Sequence, residues 1–225
     1  MKYYFLFFFT FLITTALAQI PNQSNLLRLK GTTTEILSYK EMIGSPYRYK
    51  EFIEGSVYLK SNTDAIDYTI NYNAYKDQIE FIENNSTISV DNPNEIKYIV
   101  VDQETLIYTK YYNYDDLKEG YFIELIDDYI SLYKRELISI NSPKNVAYNS
   151  SPYIKAEFIK LKPMFYISIY GETLVLIKNK KKLLNLFFNH PELKNFIQKE
   201  KIKLHDESDL KKLVVFLNNF DKNKK

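Results

Sequence analysis

The chain has 225 residues, no cysteine, 30 Lys and Arg against 28 Asp and Glu, and a formal net charge of +2. That length buries a core without covalent staples, and the near-balance of charge gives no field to draw in nucleic acid. The lack of cysteine excludes a disulfide framework, a thiolate zinc site and a lipid-modified cysteine anchor.

In chain order, Lys2 precedes an apolar run from Phe5 to Leu17, and Ala16-Leu17-Ala18 stands before Gln19. This pattern predicts a cleaved secretory signal peptide over residues 1–18, because the run is shorter than the roughly 20 residues of a membrane helix. The expectation is export, to the periplasm, the outer membrane or the cell surface. Residues 19–54 read as a leader and a first turn or strand, with Gly44-Ser45-Pro46-Tyr47 as the turn signal.

Residues 55–177 read as one antiparallel sheet. After a first strand at Ser56 to Lys60, Ile66, Tyr68, Ile70 and Tyr72 alternate with Asp67, Thr69 and Asn71, a period of two that no helix satisfies. A reversal at Lys76-Asp77 leads into Gln78 to Glu83. Strands follow at Thr87 to Val90, Ile96 to Val101 and Thr105 to Lys110, the last two joined through Asp102-Gln103. A loop is expected at Asn113 to Lys118, then strands at Tyr121 to Ile126, Tyr129 to Ile138, Tyr153 to Leu161, Met164 to Tyr170 and Thr173 to Ile177, with Gly171-Glu172 as a two-residue hairpin turn.

Over residues 178–225 the period changes. Leu183, Leu186 and Phe187, then Leu193, Phe196 and Ile197, then Leu210, Leu213, Val214 and Leu217 predict three short helices, each with one apolar stripe. Asn189 is the expected cap of the second, and Asp206 or Ser208 of the third. The fold class is therefore α+β: a curved, mainly antiparallel β-meander of about ten strands, followed by three short C-terminal α-helices that pack on the sheet and form one domain with it.

Catalytic chemistry is sparse. There is no nucleophile elbow, no Gly-rich phosphate loop and no histidine pair, and His190 and His205 sit at helix edges. No cofactor or metal is expected. Glu80, Glu83, Asp115, Asp116, Glu124, Asp127 and Asp128 are the acids from which a glycosidase pair would have to come, although several lie in turns where acids are common. Lys178-Asn179-Lys180-Lys181-Lys182 is the densest basic run, suited to a solvated helix start or to peripheral contact with an anionic surface. Tyrosine is the feature most suggestive of binding, at 21 residues. The candidate partner-binding cluster is Tyr111, Tyr112 and Tyr114, since Tyr brings both apolar area and a hydroxyl to an interface.

Gly44-Ser45-Pro46-Tyr47, Phe52, Gly55, Tyr58, Asp77-Gln78-Ile79-Glu80-Phe81 and Asp209-Leu210-Lys211-Lys212-Leu213 resemble motifs of a group of uncharacterised exported proteins of the Bacteroidetes. The resemblance implies a Gram-negative envelope location and no activity. The functional expectation is a non-enzymatic envelope protein that contacts another envelope or outer-membrane protein, as an accessory subunit of an outer-membrane assembly. The alternatives are a carrier of an apolar molecule such as a lipid in a curved-sheet cavity, and a carboxylate-pair glycan hydrolase.

Overall fold

The computed structural model describes residues 29–31, 39, 42–84, 86–141 and 155–222. The expected signal peptide, most of the expected leader and residues 142–154 lie outside these. The described chain is a mainly antiparallel β-meander followed by three helices. Its strands are β1 (Leu29–Gly31), β2 (Ile53–Leu59), β3 (Ala65–Asn73), β4 (Gln78–Glu83), β5 (Ser86–Val90), β6 (Ile96–Val101), β7 (Glu104–Asn113), β8 (Asp116–Ile126), β9 (Ile130–Arg135), β10 (Ile138–Asn141), β11 (Glu157–Lys160), β12 (Met164–Ile169) and β13 (Leu174–Leu176). The helices are α1 (Lys180–Leu186), α2 (Glu192–Lys199) and α3 (Glu207–Lys222).

The main sheet runs β1-β5-β4-β3-β2-β6-β7-β13-β12-β9-β8, and β8 also pairs with β7. Strands β7, β8, β9, β12 and β13 therefore close into a small barrel. Long β7 permits this: its start pairs with β6 on one side, its end pairs in parallel with β13 on that same side, and β8 runs along the other. The inward positions carry Tyr111, Phe122, Tyr133, Tyr166 and Leu174. Three of these rings meet edge-to-face at centroid distances of 5.1, 5.5 and 5.0 Å, the arrangement that aromatic quadrupoles favour.

The remaining strands curl in front of the barrel. Ile70 and Tyr72 of β3, Ile79 and Phe81 of β4, Val57 of β2, Ile99 of β6, Leu106 of β7 and Tyr121 and Ile123 of β8 fill the inside of the curl, with Ile66 and Tyr68 packed against them. The alternation read from β3 is thus a core face. Strands β10 and β11 form a separate pair that adds Ile138 and Phe158 to this core. The concave face is filled by its own side chains.

The helices pack elsewhere, on the outer face of β9 and β12. Leu210, Leu213, Val214 and Leu217 of α3 are fully buried against Ile130, Leu132, Phe165 and Ile167, and each such side chain stabilises by about 1.5–3 kcal/mol. The Asn218 amide clamps α3 to β9, accepting from the Ile130 N–H at 2.8 Å and donating to its carbonyl at 2.9 Å. Asp206 caps α3 at the Asp209 N–H, and Asn179 caps α1 at the Lys182 N–H. Asn189 does not cap α2, whose cap position is Pro191.

Three local expectations are corrected. The segment Asn113 to Lys118 is no loop: β7 and β8 pair from Thr105 with Glu124 out to Asn113 with Asp116, because Tyr112 and Leu117 continue the alternation across a tight turn. The turn between β12 and β13 centres on Tyr170-Gly171, with φ of 52° and 77°, closed by the Glu172 N–H on the Ile169 carbonyl at 3.1 Å. It matches a primed turn, which needs positive φ at both central residues. Tyr129 to Ile138 splits into β9 and β10 because the chain leaves β12 after Arg135 to pair with β11. A short strand, β1, lies in the expected leader and pairs with β5.

Gly120 sits on the inward face of β8, where a Cβ would fall 2.5 Å from Asp77 Oδ2 and 3.0 Å from an Arg135 guanidinium nitrogen. Both groups are locked in one ion pair and have little room to yield. Gly120→Ala is expected to destabilise by about 1–3 kcal/mol in denaturant unfolding, whereas Gly171→Ala meets no atom within 4 Å and pays only for its positive φ.

Candidate functional site

The three nominated tyrosines part company by strand geometry. Tyr111 points into the barrel and is 3% exposed. Its hydroxyl accepts from Arg135, and the guanidinium also lies 4.6 Å from its ring centroid. The expectation of an exposed triplet is therefore corrected at this position, because alternation turns every second side chain inward. Tyr112 and Tyr114 are 41% and 59% exposed, and Leu117, the cross-strand neighbour of Tyr112, is 54% exposed. Lys178, in the connection from β13 to α1, places its ammonium 4.3 Å from the Tyr114 ring centroid, a cation–π contact. Leu117 is absent from the sequence-based candidates, and Lys178 stands there only as part of the basic run, apart from the tyrosines. The pairing of a Tyr in one strand with an apolar residue in the next was the signal for Leu117.

This apolar tip stands on a rigid base. At the mouth of the barrel Asp77, from the turn between β3 and β4, accepts from the Tyr72 hydroxyl at 2.7 Å, the Tyr121 N–H at 3.2 Å and the Arg135 guanidinium at 2.6 Å. Burial opposes the charge on Arg135, but Asp77 and Tyr111 hold its pKa above the ordinary value. Burial also raises Tyr111 and Tyr72, the latter well above its usual range. Tyr166, buried beside Arg135, is pushed up to about 12 by burial against the opposing pull of that cation.

A second line of charge crosses the molecule. Arg48 forks onto Glu104 at 2.7 and 2.8 Å and also binds Glu136. Lys134 then joins Glu136 at 3.5 Å and Glu207 at 3.0 Å, and Glu207 takes Lys211 at 2.7 Å. The series runs from the segment before β2 to α3. Burial works against the Glu207 charge, yet hydrogen bonds from Lys211 and Lys134 outweigh it and hold its carboxyl below the usual range.

The nominated acids do not converge on one cleft. Glu80 is buried and accepts from the Tyr47 hydroxyl at 2.6 Å and the Asn73 amide at 2.8 Å. Glu83, Asp115 and Asp116 are exposed at strand ends and at the hairpin tip. Asp128 accepts from the Tyr129 N–H within its turn. Glu124 is half-buried on the face of β8 that carries Phe122. Among the described residues no group of three or more His, Asp or Glu is placed to hold a metal ion. His190 packs between the rings of Phe187 and Phe220 at 5.7 and 5.3 Å, while His205 is exposed.

No protein-family model, curated protein or solved structure matches the chain.

Burial, then the charge of Asp127, raises the Glu124 carboxyl above its usual range. A carboxyl raised in the folded state costs stability once it ionises, so this penalty is present at neutral pH and disappears as pH falls below the ordinary carboxylate range. Glu124→Gln is expected to raise Tm at pH 7 by a few °C at most. Repeating the melts at acid pH should show the gain shrinking to nothing.

Proposed function

We propose that this chain is a non-enzymatic exported envelope protein that works by contact with another protein, as an accessory subunit of an outer-membrane assembly. The observation that carries the reading is the group of three large apolar side chains, Tyr112, Tyr114 and Leu117, exposed together at the tip of a hairpin whose base is built into the barrel. Interface cores are enriched in Tyr and rimmed by polar groups. Here the rim is Asp115, Asp116 and Lys178. A tip carrying two acids beside its aromatics suits a protein surface better than an anionic bilayer.

The chemistry of the acids supports a contact role. Asp77 is committed to Arg135 and Glu80 to Tyr47 and Asn73, so these carboxylates are engaged in holding the fold. Export rests on Lys2, the run from Phe5 to Leu17 and Ala16-Leu17-Ala18, and the envelope location also on the resemblance to exported Bacteroidetes proteins. No helix among the described residues is long and apolar enough to cross a membrane.

Cross-linking in native cells, followed by purification of the tagged chain and mass spectrometry, tests the reading. The wild type is expected to bring down one envelope protein in fixed ratio, and the Tyr112→Ser/Tyr114→Ser variant to lose it while melting at the same temperature. Recovery of the wild type as a lone monomer overturns the reading, and so does unchanged capture by the double variant.

A further inference from the structure

The outward face of the barrel carries one continuous apolar row. Tyr112 of β7 lies beside Val175 of β13, Val175 beside Ile167 of β12, and Ile167 beside Leu132 of β9. The helices bury the Leu132 end of this row and leave Tyr112 open. Between these ends, where α1 crosses β13, the cover is incomplete and a pocket of about 300 Å³ opens. Its floor is Ile167, Val175 and Ile177, and its far wall is Leu183 and Leu186 of α1. Ile167 and Ile177 in the floor and Leu183 in the wall are buried core residues, so both surfaces are firm.

Among the described residues lining this pocket, Lys182 is the one that carries a charge, with the Asn185 amide beside it. Lys178, Lys180 and Lys181 are its neighbours in the chain. None of the four makes an ion pair among the described residues, in contrast to Lys134 and Lys211.

We propose that this pocket binds a single-chain anionic amphiphile, a fatty-acid-like carboxylate with its tail on Ile167, Val175 and Leu186 and its head at Lys182. The two halves of the pocket each exclude something. An inorganic anion leaves the apolar floor in water, and a cationic amphiphile brings its head to the Lys182 ammonium. A neutral apolar molecule gains nothing from the Lys182 ammonium. The volume stands at the lower end of small-ligand pockets, roughly 300–1,000 Å³, which admits one short chain and not a two-chain lipid. The site is separate from the hairpin tip and does not rest on the contact reading.

Calorimetric titration of the purified chain with decanoate, below its micelle concentration, tests the site. One saturable binding event is expected, weakened at least tenfold by Lys182→Glu, kept by Lys182→Arg, and abolished by Val175→Phe, which fills the pocket. Decanol and decyltrimethylammonium are expected to bind at least tenfold more weakly than decanoate. The absence of saturable decanoate binding overturns the proposal, as does equal affinity for decyltrimethylammonium, or an affinity unchanged by Lys182→Glu. Binding to phosphatidylglycerol vesicles with no decanoate binding would assign the lysines to a membrane surface and overturn it too. Lys182 is exposed, so the variants at this position are expected to fold, and their melting curves check it.

Discussion

Asp77 holds the two halves of this molecule together. Its carboxylate reaches out of the turn between β3 and β4, passes over Gly120 and meets Arg135 at the barrel mouth. Both side chains are largely buried, at 20% and 10% exposure, so neither charge is well solvated by water. A buried pair of this kind gives little net stability against an apolar replacement, but removing one partner leaves an uncompensated buried charge and costs several kcal/mol. Its value here is positional. The curl can fold over the barrel in one register only, because Asp77 must also accept from Tyr72 on its own side and from the Tyr121 N–H on the other.

The rest of the architecture follows from that closure. Strand β8 faces two cores: Tyr121 and Ile123 belong to the curl, Phe122 to the barrel. Shifting β8 by one residue would exchange these sets and carry Gly120 away from the ion pair. The Arg48, Glu136, Lys134 and Glu207 series performs a similar service farther out, tying the segment before β2 to the start of α3. Its glutamates are the more exposed carboxylates, at 31% and 34%, so it is the more easily screened of the two. With the base of the β7–β8 hairpin fixed on both faces, Tyr112, Tyr114 and Leu117 are presented on a firm support.

Much of this was legible from residue order. The Ile66, Tyr68, Ile70 and Tyr72 face, the hairpin through Asp77 and the three apolar helix stripes are local patterns, and local periodicity states them directly. What escaped is non-local. Barrel closure depends on Val175 lying beside Tyr112, a pairing between strands far apart in the chain that no pattern in either announces. Tyr111 was grouped with Tyr112 and Tyr114 because adjacency in sequence looks like a cluster, while alternation and the Arg135 guanidinium put it inside. The role of Asp77 was hidden for the same reason. An acid in a turn is ordinary, and only the fold brings Arg135 to it.

The curl stays in register on the barrel through the coupling between Asp77 and Arg135, and a double-mutant cycle measures it. Unfolding free energies of the wild type, Asp77→Asn, Arg135→Met and the double variant are compared in denaturant. Each single change is predicted to cost about 3–5 kcal/mol, and the double variant to cost less than the sum by at least about 1.5 kcal/mol, within the range of directly contacting residues. Costs that add to within about 0.5 kcal/mol would show that the two side chains act independently, and would contradict the account.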